Sequence, residues 1–240
     1  MSIRGFIQLE TLIQLSFTGG SCRGWRRMFE DGGLPSSVVA NLTGEAKRKQ
    51  GERYDYVTHR NECPFAGMNY LINSAKSGCY TLILQRTIEQ LTAMVDLYRR
   101  VLFVRFDLHH LQPEATSERV SAFIEAARKH AQRRYQTRHM GFLWVREQEK
   151  AQRQHYHLVL MLDGDKIRYS SKLLAELGEI WARMGGTASI PKKPYIFIDK
   201  PALVADAVYR ASYLAKARGK GFRPDGARDF GCSRIKSRAP

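Results

Sequence analysis

Read for the spacing of apolar positions, the chain changes character near residue 66. Before that point no periodicity holds. Gly19-Gly20, the stretch Gly32-Gly33-Leu34-Pro35-Ser36-Ser37 and the charged run from Glu45 to Arg53 read as loop and linker. Over 66–100, Leu82, Leu84, Ile88, Leu91, Met94, Val95 and Tyr98 recur at mixed three- and four-residue spacing, which predicts one or two helices leading into a main domain. Val101 to Leu108 opens with a continuous apolar run and predicts a central strand. Ser117 can start a helix with Val120, Phe123, Ile124 and Ala127 on one face. Gly141 to Glu147 predicts a second strand, and the polar turn at 150–154 joins it to a third, beginning at His155, as a hairpin. An amphipathic helix follows over 170–184, with Leu173, Leu174, Leu177, Ile180 and Trp181 inward. Tyr195 to Ile198 is a short fourth strand, and Pro201 opens a last helix running to about Arg218.

This order predicts an α+β fold: an antiparallel sheet of four to five strands, helices packed on one face, and the other face open to a ligand. Residues 1–65 read as a poorly ordered or divergent extension, and 66–236 as the main domain. No internal repeat is visible.

Composition narrows the partner. The chain has 240 residues, with 39 Lys and Arg against 23 Asp and Glu, for a net charge of +16. Such an excess favours a polyanion, and nucleic acid first. Part of it is local: Arg128, Lys129, Arg133 and Arg134 crowd one stretch. The four cysteines (Cys22, Cys63, Cys79, Cys232) lie at unrelated spacings with no CxxC, so a zinc ribbon is not indicated and a reducing, cytoplasmic setting fits. No signal peptide and no membrane-spanning run is read, so no membrane partner is expected. There is no phosphate loop of the GxxxxGK[ST] kind, so unwinding of DNA would fall to another protein.

The densest chemistry is Gln154-His155-Tyr156-His157-Leu158. Residues two apart on a strand share a face, so His155 and His157 can reach one cation together. Glu147 on the partner strand is placed to add an oxygen, with Gln148 and Glu149 as rivals, because a one-residue slip swaps the face. Two imidazoles and a carboxylate with open positions suit Mg²⁺ or Mn²⁺ holding a phosphate. As a bare pattern, a histidine pair at this spacing is more often only a polar strand face. Tyr209 and Tyr213 then stand one turn apart on the last helix, with Lys216 a turn later. A phenol ionises near pH 10, and a nearby cation favours its attack. Core packing is the plain alternative for either ring. Asp107 and His109 share strand parity with Arg105, and the three either line the open face or end an exposed strand. Arg105, Arg134, Arg210 and Lys220 are candidate contacts to a nucleic-acid backbone.

These residues resemble the HUH endonucleases, in which a His-hydrophobic-His strand precedes a helix with YxxxY or YxxK. Arg105-Phe106-Asp107-Leu108-His109, Leu143-Trp144-Val145-Arg146-Glu147, His155-Tyr156-His157 with the apolar run after it, Ser212-Tyr213-Leu214-Ala215-Lys216 and Phe230-Gly231-Cys232-Ser233-Arg234-Ile235 are together similar to the inovirus (filamentous phage) replication proteins, of the YagK/YfjJ C-terminal type, found in phages and prophages. The resemblance covers about 66–236. It implies an RRM-like palm and a rolling-circle replication initiator that nicks one strand through a tyrosine–5′-phosphate intermediate. His155, His157 and Glu147 would hold the cation, Tyr213 would be first choice as nucleophile, Tyr209 the second nucleophile or a helper, and Lys216 would neutralise phosphate. The partners implied are single-stranded or hairpin DNA at an origin and a host helicase. A tyrosine transposase of the same chemistry, a metal-dependent hydrolytic nuclease, and a non-catalytic single-strand binder stacking bases on Tyr156 or Trp144 remain as other readings.

Overall fold

The computed structural model describes residues 45–47, 56–110, 114–148, 154–221, 224 and 227–237. The main sheet is entirely antiparallel and follows the alternation of its longest strands. β6 (Val101–His110) pairs on one side with β8 (His155–Asp163), which pairs with β7 (Gly141–Glu147), which pairs with β11 (Phe230–Cys232). The other edge of β6 takes β10 (Tyr195–Ile198) along one half and β9 (Gly186–Ser189) along the other. The α+β architecture is the expected one, with two short strands added, β9 and β11. Neither carries an apolar alternation for the sequence to show.

Alternation along β6 and β8 divides the core. Leu102, Val104, Phe106 and Leu108 of β6, with Tyr156, Leu158, Leu160 and Leu162 of β8, face α2 (Glu118–Tyr135) and α3 (Ser171–Arg183). Those helices return Val120, Phe123, Ile124, Leu173, Leu177 and Trp181, all buried. The opposite face is half covered rather than wholly open. There α1 (Thr81–Leu97) lies so close to β7 that a Cβ added at Gly141 would stand 2.9 Å from the Met94 side chain. The covered half is apolar: Val101, Phe103, Leu143, Val159 and Met161 are buried. α4 (Ala202–Ser212) packs beside α1 and β10. The other half of this face carries Arg105, Asp107, His109, Glu147, His155 and His157.

A small polar cluster occupies the α2/α3 side of those same strand ends. His110 is buried between Tyr156 and Trp181, ring centroids 5.4 and 4.8 Å away. Glu114 lies 3.5 Å from His110 and is paired to Arg119.

Residues 66–80 are not helical, contrary to the periodicity. β3 (Glu62–Phe65) and β4 (Met68–Leu71) form a hairpin across the two-residue turn Ala66-Gly67, both at positive φ. β1 (Glu45–Lys47), β2 (Tyr56–Thr58) and β5 (Cys79–Tyr80) make a separate three-stranded sheet, and the helix begins only at Thr81. Most of the expected 1–65 extension lies outside the described residues. The chain between β4 and β5 grips the end of α4. Asn73 N–H donates to Ser212 Oγ at 2.8 Å, Ala217 N–H to the Gly78 carbonyl at 3.1 Å, and Cys79 bridges Lys216. Among the described residues no helix is long and apolar enough to cross a membrane.

Candidate metal centre and tyrosine

Strand register assembles the centre. Glu147 stands directly opposite His155, and Asp107 directly opposite His157. Opposed residues share a face, so all four side chains converge. One donor atom each from Glu147, His155 and His157 lies within 4.8 Å of the others. Glu147 Oε2 is 3.2 Å from His157 Nε2 and 3.7 Å from His155 Nε2. Two neighbouring ligands at about 2.1 Å from one octahedral ion would be about 3 Å apart, so Glu147 and His157 are spaced to share one cation. Gln148 turns to the other face, where Oε1 accepts from Arg146 at 3.1 Å, and Glu149 lies outside the described residues.

Two further side chains fix this set. Asp107 Oδ1 is 2.6 Å from His157 Nδ1, which leaves Nε2 turned toward Glu147. A carboxylate on the far nitrogen of a ligating imidazole sets its tautomer and ring direction. Lys220 donates to Glu147 Oε1 at 2.7 Å and to the Lys216 carbonyl at 2.6 Å, with its side chain wholly buried. One carboxylate oxygen of Glu147 is thereby taken, and the other points at the histidines. The ammonium expected at a DNA backbone is an internal partner instead.

The charge states follow from these contacts. Burial works against ionisation of Glu147, but the hydrogen bonds to His155 and His157 and the charge of Lys220 outweigh it and hold the carboxyl well below its usual range. Burial alone would lower His157. The hydrogen bonds to Asp107 and Glu147 reverse that and raise it. Burial also draws Lys220 down against the pull of Glu147.

The last helix stops earlier than its periodicity suggests. α4 ends at Ser212, and Tyr213–Ala215 is a 3₁₀ turn. Tyr213 is 39% exposed, and its ring centroid stands 5.9 Å from that of His157, edge to face. Arg105 lies over the same ring at 4.8 Å and Lys216 Nζ at 5.7 Å. Lys216 also donates to the Ala75 carbonyl at 3.1 Å. Tyr209 is half exposed, and among the described residues its ring has none of these contacts to the centre. Arg210 neighbours Arg105. Arg134 is on α2, behind the sheet, near Glu176 at 3.7 Å. Trp144 and Tyr156 are buried under α2 and α3, where no base can stack on them.

His109 stacks on His155 at 5.8 Å and bonds Ser189 at 3.1 Å. The sequence placed Asp107 on the correct parity but gave it no role. Lys220 had no signal toward Glu147, because its place depends on the turn after Tyr213.

A family model, that of the YagK/YfjJ C-terminal domain, matches residues 65–233. No curated protein and no solved structure matches the chain.

Proposed function

The chain belongs to the YagK/YfjJ C-terminal domain family, and on that premise we propose that it is a metal-dependent, HUH-type nickase and strand transferase of single-stranded DNA that initiates rolling-circle replication. The observation that carries this reading is the placement of a half-exposed tyrosine, Tyr213, against the ring of His157 in the Glu147–His155–His157 set. A divalent cation of the Mg²⁺ or Mn²⁺ class held there would polarise the scissile phosphate. Tyr213 Oη gives its proton to solvent and attacks phosphorus. The bond to the 3′ oxygen breaks, and that oxygen takes a proton from solvent, leaving a free 3′-OH and a 5′-phosphotyrosine. Attack of a 3′-OH on that linkage reverses the step and rejoins or transfers the strand. Arg105 and Lys216 place positive charge beside the ring, where it can offset the negative charge that gathers on the phosphate oxygens during attack. Tyr209 would serve as second nucleophile or helper.

A denaturing-gel nicking assay tests this, using labelled single-stranded and hairpin DNA that includes the sequence flanking the gene, with Mn²⁺ or Mg²⁺. The expected product is a covalent protein–DNA adduct that disappears in Tyr213→Phe and in His157→Ala. Loss only in Tyr209→Phe would transfer the nucleophile. Cleavage without an adduct would identify a hydrolytic nuclease. Binding with no cleavage under both metals would leave a nucleic-acid-binding protein. A host helicase partner and an inovirus or prophage setting belong to the same proposal.

A further inference from the structure

Two arginines near the tyrosine, one over its ring and the other close to the first, have no carboxylate of their own among the described residues. Arg105 lies on the ring face, 4.8 Å from its centroid. The carboxylate beside it, Asp107 at 3.8 Å, is already engaged by His157 at 2.6 Å. The Arg105 Nε is buried and donates to nothing among the described residues. Arg210 lies in the last turn of α4, three residues before Tyr213, and is close enough to Arg105 to feel its charge. Burial, and then the charge of Arg105, lower the pKa of Arg210, and it has no ion pair among the described residues. Two guanidiniums drawn together with unfilled donors are an arrangement that an anion completes, and the fork of each matches phosphate oxygens.

The same side of the sheet continues outward. β9 and β10 both pair with the free edge of β6, and residues 190–194 link them. The link is tied to the arginine, because Arg105 N–H donates to the Pro194 carbonyl at 2.6 Å. Lys192 and Lys193 are exposed there, with no ion pair among the described residues, beside Ile190, which is 54% exposed. Tyr213 touches the donor set through His157 and also lies under Arg105, so a subsite at the arginines would adjoin the reacting position.

We propose that Arg105 and Arg210 seat a second phosphodiester of single-stranded DNA, adjacent to the one that reacts, and that the strand leaves the site across the 190–194 link past Lys192 and Lys193. The identity of the strand rests on the nicking reading above; the anion subsite rests on the arginines.

The test is binding of a fluorescein-labelled oligodeoxynucleotide in EDTA over a salt series, so that no catalysis is needed. Each single-strand phosphate contact contributes about 0.7 to the slope of log K against log salt. Because the two arginines seat one phosphate, the double variant Arg105→Gln/Arg210→Gln is expected to reduce the slope by about that amount, and each single variant by part of it. The pair Lys192→Gln/Lys193→Gln is expected to do so on a long oligonucleotide and not on one of a few nucleotides. Arg134→Gln, behind the sheet, should leave the slope unchanged. Arg105→Lys, which keeps the charge over Tyr213, separates lost charge from lost packing and should hold the slope. Melting temperature is followed for every variant. An unchanged slope in the folded double variant Arg105→Gln/Arg210→Gln would overturn the subsite even if the Tyr213 adduct forms. Reduced slopes with no adduct under any metal would keep the subsite and sink the nicking reading. Tighter binding of RNA than of DNA would overturn the choice of strand.

Discussion

At the scale of single residues, the candidate centre depends on side chains outside its three donors. Asp107 holds His157 by Nδ1, so its loss frees the ring to turn. Asp107→Ala should weaken Mn²⁺ binding by about 10- to 100-fold, the usual range for such partners. Titration followed by electron paramagnetic resonance measures this, and an unchanged affinity in a folded variant would remove Asp107 from the role. Lys220 is a different case, because its ammonium is buried against Glu147. Lys220→Met strands a buried carboxylate and should cost about 3–5 kcal/mol in urea unfolding. The double variant Lys220→Met/Glu147→Gln should recover much of that loss; if it does not, the cost lies elsewhere. His155, His157 and Glu147 were legible because strand parity and hairpin register are local. Asp107 and Lys220 reach the site through pairings far apart in the chain, which spacing alone does not encode.

At the scale of elements, the strands with strong alternation and the helices with wide apolar stripes announced themselves. β7 and β10 have the bounds their patterns predict, and α3 differs by a residue at each end. The hairpin of β3 and β4 did not, because Cys63 and Tyr70 are the only well-buried positions in eight strand residues. β11 is equally quiet: three half-buried residues whose middle one, Gly231, lies flat against Trp144. A Cβ at that position would stand 2.7 Å from the indole. Gly231→Ala should therefore push β11 off β7 and destabilise the fold by about 1–3 kcal/mol, the range for overpacking. Denaturant unfolding decides it, and a neutral result would mean that the indole has room to move. The periodicity of α4 runs on past Ser212, yet the chain tightens there. The apolar pattern is satisfied by Leu214 and Ala215 in a 3₁₀ turn as well as in a helix. Tyr213, the first residue of that turn, stands against His157.

At the scale of the whole molecule, the strand ends carry polar groups on both faces, the Glu147–His155–His157 set on one and His110 on the other. Burial, with Arg119 and Arg146 close by, lowers His110 to about 4, and the nearby Glu114 is already engaged by Arg119. A histidine whose folded value lies below its unfolded value of about 6.5 leaves the unfolded chain binding the extra proton first. Stability from this group is therefore complete above about 6.5 and falls as the pH drops toward about 4, by about 3 kcal/mol in all. Urea unfolding from pH 7.5 to 4.5 should show a steeper decline in the native protein than in His110→Gln. Parallel curves would contradict the assignment. The net charge of +16 was legible from composition. Its division between internal partners such as Lys220 and outward ones such as Lys192 was not, because that division is made by folding.

The grip of the β4–β5 chain on the end of α4 has a practical consequence. The segment that carries Tyr213 is stitched to residues more than a hundred positions earlier, through Asn73, Ala75, Gly78 and Cys79. It is thus not a portable cassette. A chimaera that imports residues 202–220 into a related sheet must import 73–79 with them, or the tyrosine arrives without its mooring.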